Sequence, residues 1–328
     1  MKYVLQIFYI VFIGCTSMNN IQAATDTSEY KKPYYTVQIS YAGTGAEFRL
    51  NDIPFYLENF SGQVDVEIPV SDKMVQGVNE LSIVVFTYIE GDDPVENWHE
   101  DARVEATLYV RENNSVLASR KILTHIKLYP AHNPKTAAIG SMLISEQKLP
   151  VLDYDNKVWV FPRVEYKKQI FVSRKTHFIT TPFPMWEWQD GVTIEDTPEN
   201  YRALLEAYRK EYLIHQNKDL MSLKDSTKKI AETQLLVNYY GNINKAYEIL
   251  NLEESWDSKE QELFEFIEGE RSEKYGLKLD IFGDGKLARI TNDTGIQPIL
   301  YIVKKARISI KYKYTFYKNK QGEWIYIM

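Results

Sequence analysis

The chain has 328 residues, a net charge of −6 and ordinary hydrophobic and charged fractions of 44% and 26%. That is enough length for two domains with sizeable cores, and the negative balance excludes a generally basic nucleic-acid binder. One cysteine excludes an internal disulfide, while 24 tyrosines favour strands and half-buried surfaces over long helical bundles.

Residues 1–24 read as an export signal: Lys2, an apolar run over 3–13, then small and polar residues. The run is too short to span a bilayer. Two processing routes fit. Cleavage after Ala23 or Ala24 would release a soluble protein. Phe12-Ile13-Gly14-Cys15 resembles the bacterial lipobox, which implies lipidation of Cys15. Both routes place the chain in the periplasm, soluble or lipid-anchored.

From residue 28 to 180 the pattern is mostly that of strands, with 137–144 fitting either a short strand or a helical turn. Residues 35–41 and 46–50 lead into the turn Asn51-Asp52-Ile53-Pro54. Over 63–70, Val64, Val66, Ile68 and Val70 alternate with polar residues, and 81–89 is a nearly continuous apolar run. Segments 102–110 and 116–128 pair through Glu112-Asn113-Asn114-Ser115, and 170–180 returns to close the unit. Turn chemistry every ten to fifteen residues predicts an all-β antiparallel sandwich. Gly43-Thr44-Gly45 lacks the third glycine of a nucleotide loop and is a turn.

Residues 181–197 form an acidic, proline- and tryptophan-rich linker. Pro182, Pro184 and Pro198 interrupt regular structure, and no cation lies between Lys175 and Arg202. Trp186 and Trp188 pack against a domain or, with Glu187 and Asp190, present an acidic aromatic contact for another protein.

At Thr197 the hydrophobic period changes. Thr197 is an N-cap and Pro198 suits the first helical position. Tyr201, Leu204, Leu205, Tyr208, Tyr212 and His215 then share one helical face. Further helices are expected from 225 or 226 to Gly241, over 243–250, and around 256–267. Strands 277–282 and 287–290 join through Gly283-Asp284-Gly285. Over 305–316, Ala306, Ile308, Ile310, Tyr312, Tyr314 and Phe316 alternate with Lys305, Arg307, Ser309, Lys311, Lys313 and Thr315, predicting one strand with an apolar and a basic face. The basic face either pairs with the acids of 251–273 or offers an interaction surface.

The helices of PENYRALLEAYRKEYL, the GDGKLARI hairpin and the closing YKNKQGEWIYIM resemble the cone-shaped NTF2-like fold over 198–328. That resemblance implies an α+β domain with helices packed on a curved antiparallel sheet around a pocket. An exported sandwich joined to such a domain also resembles the immunity proteins encoded beside type VI secretion effectors. These bind an incoming toxin, often a lipase, and are not enzymes.

Catalytic motifs are sparse. His99, His125, His132, His177 and His215 are scattered without a metal-ligand spacing, and no G-x-S-x-G elbow is present. Trp98-His99-Glu100-Asp101 sets ligand types side by side on one segment, where they seldom converge. His215 with Asp280 is the one pair a cone-pocket enzyme would use. No cofactor motif is found. Beside the immunity reading stand an NTF2-like enzyme or small-ligand binder, and an envelope structural or carbohydrate-binding protein.

Overall fold

The computed structural model describes residues 22–25, 27, 29–58, 63–86, 89–90, 93–94, 102–130, 142–144, 147–148, 170–251, 253, 256, 258–292, 295–304, 308–310 and 313–327. It is a mixed α+β molecule built mostly of antiparallel sheets.

In the first half a five-stranded sheet has the order Gln22–Thr25, Ile170–Ile179, Gly77–Phe86, Gly45–Leu50 and Ile53–Glu58. A six-stranded sheet runs Gln147–Lys148, Met142–Ile144, Lys121–Pro130, Arg103–Glu112, Pro33–Ala42 and Val64–Pro69. Period-two alternation shows in the strand Arg103–Glu112, whose Val104, Ala106, Leu108 and Val110 are buried while their neighbours are not. These side chains share one buried cluster with Phe48, Leu81, Ile83 and Val85 of the other sheet. Leu50 pairs with Ile53 across a two-residue turn, and both Asn51 and Asp52 adopt positive φ. Short polar residues tolerate that conformation, which matches the right-handed twist of the strands. The strand Gln22–Thr25 pairs in parallel with the end of Ile170–Ile179 and straddles the expected cleavage positions.

In the second half α1 (Pro198–Asn217) is capped by Thr197, whose side chain accepts from the Asn200 N–H. α2 (Leu220–Ser226), α3 (Lys228–Val237) and α4 (Ile243–Leu250) follow. The helix expected around 256–267 does not form. Gln261–Leu263 instead pairs with Tyr301–Val303, and a short α5 (Glu270–Lys274) comes after it. Tertiary pairing overrides the apolar spacing there. The strands Lys278–Phe282 and Leu287–Thr291 form the expected hairpin and continue through Phe316–Lys318 to Trp324–Tyr326.

The single long strand predicted over 305–316 is also absent. Ile308–Ile310 belongs to a three-stranded sheet with Tyr301–Val303, whereas Phe316–Lys318 belongs to the four-stranded one. Between them Tyr314, Thr315, Phe316 and Tyr317 are all buried, so no two-faced alternation survives. A chain that passes from one sheet to another packs consecutive residues on both sides.

The two halves share a core. Val237, Phe282, Leu287 and Tyr317 lie in the same buried cluster as the residues of the five- and six-stranded sheets. Across this seam the Tyr239 hydroxyl donates to Pro33 O at 3.1 Å, and the Asn113 side-chain amide donates to Asn238 O at 3.2 Å.

Candidate functional site

The proline-rich segment 181–197 is the seam itself. Its prolines keep it out of the ladders; apart from a short 3-10 turn over Glu187–Asp190 that bonds within itself, its polar groups reach into both halves. Toward the first half, Thr181 N–H donates to Gln76 Oε1 at 2.8 Å and Trp186 Nε1–H donates to Met74 O at 2.7 Å. Toward the second, Val192 N–H donates to Lys318 O at 2.9 Å and Ile194 N–H to Gly285 O at 2.8 Å. A Cβ at Gly191 would lie 2.9 Å from Lys318 O, so only glycine permits this approach.

Trp186 and Trp188, at 7% and 9% exposure, are therefore core residues and not exposed docking anchors. Trp186 packs on Phe183 with ring centroids 5.8 Å apart, and Phe183 in turn meets Tyr35 edge-on. Beside them is a cavity of about 350 Å³ whose lining includes Met185, Trp186, Trp188 and Leu236. Met185 and Leu236 stand out at its mouth, 67% and 38% exposed. Asp72, Glu187, Glu232 and Lys229 supply the charge of its walls. Lys229 Nζ is 2.6 Å from Glu187 Oε1 and 3.5 Å from Glu232 Oε2, while the Tyr317 hydroxyl donates to Glu187 Oε2 at 3.0 Å. The hydrogen bond from Lys229 holds the Glu187 carboxyl below its usual range. Burial first, and the bond to Glu187 second, push the Tyr317 hydroxyl up to about 12.

Among the other expected contact residues, Asp190 is exposed and bonded to Lys320 Nζ at 2.5 Å. Lys313 is exposed, its Nζ 3.4 Å from Phe55 O across the seam. Lys305, Arg307, Lys311 and Cys15 lie outside the described residues, as do His99 and its acidic neighbours.

His215 and Asp280 occupy different networks. Trp256 Nε1–H lies 3.0 Å from His215 Nδ1, and an indole can only donate. Nδ1 is thus the acceptor, the proton sits on Nε2, and Nε2–H donates to the Tyr314 hydroxyl at 3.0 Å. The Tyr301 hydroxyl also reaches Nδ1 at 3.1 Å. Burial lowers the imidazole to about 4 and keeps it neutral. Asp280 is buried against Arg289, its cross-strand partner, at 2.8 Å. Its charge also acts on Arg49 of the first half, which bonds Glu47 at 2.5 Å and Asp52 at 2.6 Å. The carboxylate belongs to an alternating-sign array in the seam, and the histidine to the core of the second half. Neither residue lines any of the four cavities described among these residues.

Sequence reasoning missed a buried carboxyl on α1. Glu211, one turn before His215 on α1, is buried, and its Oε2 has no hydrogen-bond partner. Burial pushes the carboxyl up to about 7, with the Ser226 hydroxyl pulling the other way. Met185, Lys229 and Glu232 were also passed over. Leu236 lies on α3, and nothing in the local spacing shows that the seam brings it to the cavity mouth. Among the described residues no group of three or more His, Cys, Asp or Glu is placed to hold a metal, and no helix is long and apolar enough to cross a membrane.

Comparison with protein-family models, with curated proteins and with solved structures returned no match.

Proposed function

We propose that this chain is an exported, non-catalytic binding protein that docks a partner protein at the seam cavity. In the finer reading a two-sheet β domain over 28–180 is joined to an NTF2-like domain over 198–328, and the partner is a type VI effector that the chain neutralises by occlusion. The observation that carries the proposal is the cavity mouth. Met185 and, from α3, Leu236 project beside buried tryptophans, of which Trp186 is held by its hydrogen bond to Met74 O. Large exposed apolar side chains rimming a rigid hollow are the anatomy of a contact site. The neutral, fully engaged His215 gives no support to an enzyme reading. The strand Gln22–Thr25 favours the lipid-anchored form, because processing at Cys15 would leave that strand whole, whereas cleavage after Ala23 or Ala24 would cut it.

The test is titration calorimetry of the full chain with the purified product of the gene beside its own, against a Met185→Glu/Leu236→Glu variant. Both positions are exposed, so the fold should tolerate the change to within about 0.5 kcal/mol per site, and binding should weaken by about tenfold or more. Undiminished affinity in that variant, or turnover of a small substrate by the purified chain, would overturn the proposal.

A further inference from the structure

The charge of the cavity walls says what kind of segment the cavity takes. Three carboxylates, Asp72, Glu187 and Glu232, face one ammonium, Lys229. Lys229 lies between two of those acids and is engaged by both. Asp72 is bonded to Lys73 at 2.6 Å, and Lys73 is not part of this cavity's lining. The hollow therefore combines a negative rim with an apolar floor of tryptophan, inside a chain whose net charge is itself −6.

Resting on the docking site proposed above, we infer that the cavity receives a basic, apolar segment of a partner protein: an arginine or lysine flanked by large apolar residues. A long cationic side chain lays its methylenes along apolar walls while its head reaches the rim carboxylates. Tryptophan is the best aromatic neighbour for such a cation. A volume of about 350 Å³ is near the lower end for ligand sites, room for one or two side chains. Met185 and Leu236 extend the apolar surface past the mouth. A free amine would leave them wet, whereas the residues flanking the cation in a peptide would cover them.

Fluorescence anisotropy of labelled, capped peptides with the full-length chain tests this. An arginine-containing peptide with flanking leucines should bind about tenfold or more tighter than its glutamate counterpart, and its affinity should fall as salt rises from about 50 to about 500 mM. Glu232→Lys should cost the arginine peptide about tenfold and narrow the gap to the glutamate peptide. Equal binding of the two peptides, indifference to Glu232→Lys, or equal occupancy by arginine methylamide alone would overturn the inference. The protein partner separates this failure from that of the wider proposal. If Met185→Glu/Leu236→Glu abolishes its binding while Glu232→Lys does not, the cavity docks a partner without selecting charge. If both leave it unchanged, the docking site itself is wrong.

Discussion

The molecule gathers aromatic rings in two places, around His215 and along the seam, with opposite outcomes. Around His215, the rings of Tyr301, Tyr314 and Trp256 close over the imidazole, and their polar atoms hydrogen-bond to it. Along the seam, Trp186 and Trp188 are equally well buried, yet Met185 and Leu236 beside them stay exposed around a hollow with charged walls. The first arrangement has spent its hydrogen-bonding capacity internally and specifies packing. The second keeps apolar surface and charge uncovered. What separates the two regions is not residue type but whether the neighbouring elements close over them.

The largest effect should come from breaking the seam. Trp186→Ala removes a buried indole and leaves Met74 O without its donor, so a loss of about 3–5 kcal/mol is expected. Because one core spans both halves, the variant's urea unfolding should also lose its single transition. A full-strength, single transition would mean that the tryptophan does not tie the halves together. His215→Ala comes next, at about 2–4 kcal/mol, since it strands the Trp256 indole N–H and opens a cavity among the tyrosines. Partner binding by that variant, measured below its unfolding midpoint, should match wild type. A parallel loss of affinity would erase the distinction between the two regions.

Much of this was legible locally. Most strands of the first half (though not Ile53–Glu58 or Gln22–Thr25), the Asn51-Asp52 turn, the Thr197 cap, α4 and the Gly283–Gly285 hairpin depend on short-range chemistry that a sequence displays directly. What failed depended on partners far away in the chain. Spacing of Trp256, Leu263, Phe264 and Ile267 suits a helix, but pairing with Tyr301–Val303 claims Gln261–Leu263 as a strand. The alternation over 305–316 suits one strand, but two sheets share that stretch. The acidic, aromatic composition of 181–197 suggests exposed tryptophans, but composition does not show what packs against them. The rings are buried, and the exposed surface beside them belongs to Met185 and to Leu236 on a helix fifty residues further on.

The subtlest probe of the closed region is its pH dependence, where Glu211 and His215 pull in opposite directions. Glu211 is raised from 4.5 to about 7 by burial, so between those values the folded chain holds a proton that the unfolded chain has released. Its contribution makes stability fall as pH rises through that window. His215 is lowered from 6.5 to about 4, so in its window the unfolded chain binds the extra proton, and stability falls as pH drops. The two slopes oppose each other between about 4.5 and 6.5 and leave a nearly flat profile there. Glu211→Gln removes one of them. The variant should gain about 1–2 kcal/mol at pH 8, less than the roughly 3 kcal/mol implied by the full shift, because the buried amide brings a donor of its own. At pH 4.5 that advantage should vanish, since the wild-type carboxyl is then protonated in the folded state. His177, which burial also lowers, is present in both proteins and drops out of the difference. Urea midpoints at pH 4.5, 6 and 8 decide the matter: parallel profiles for variant and wild type would show that Glu211 titrates in the folded chain as it does in the unfolded one.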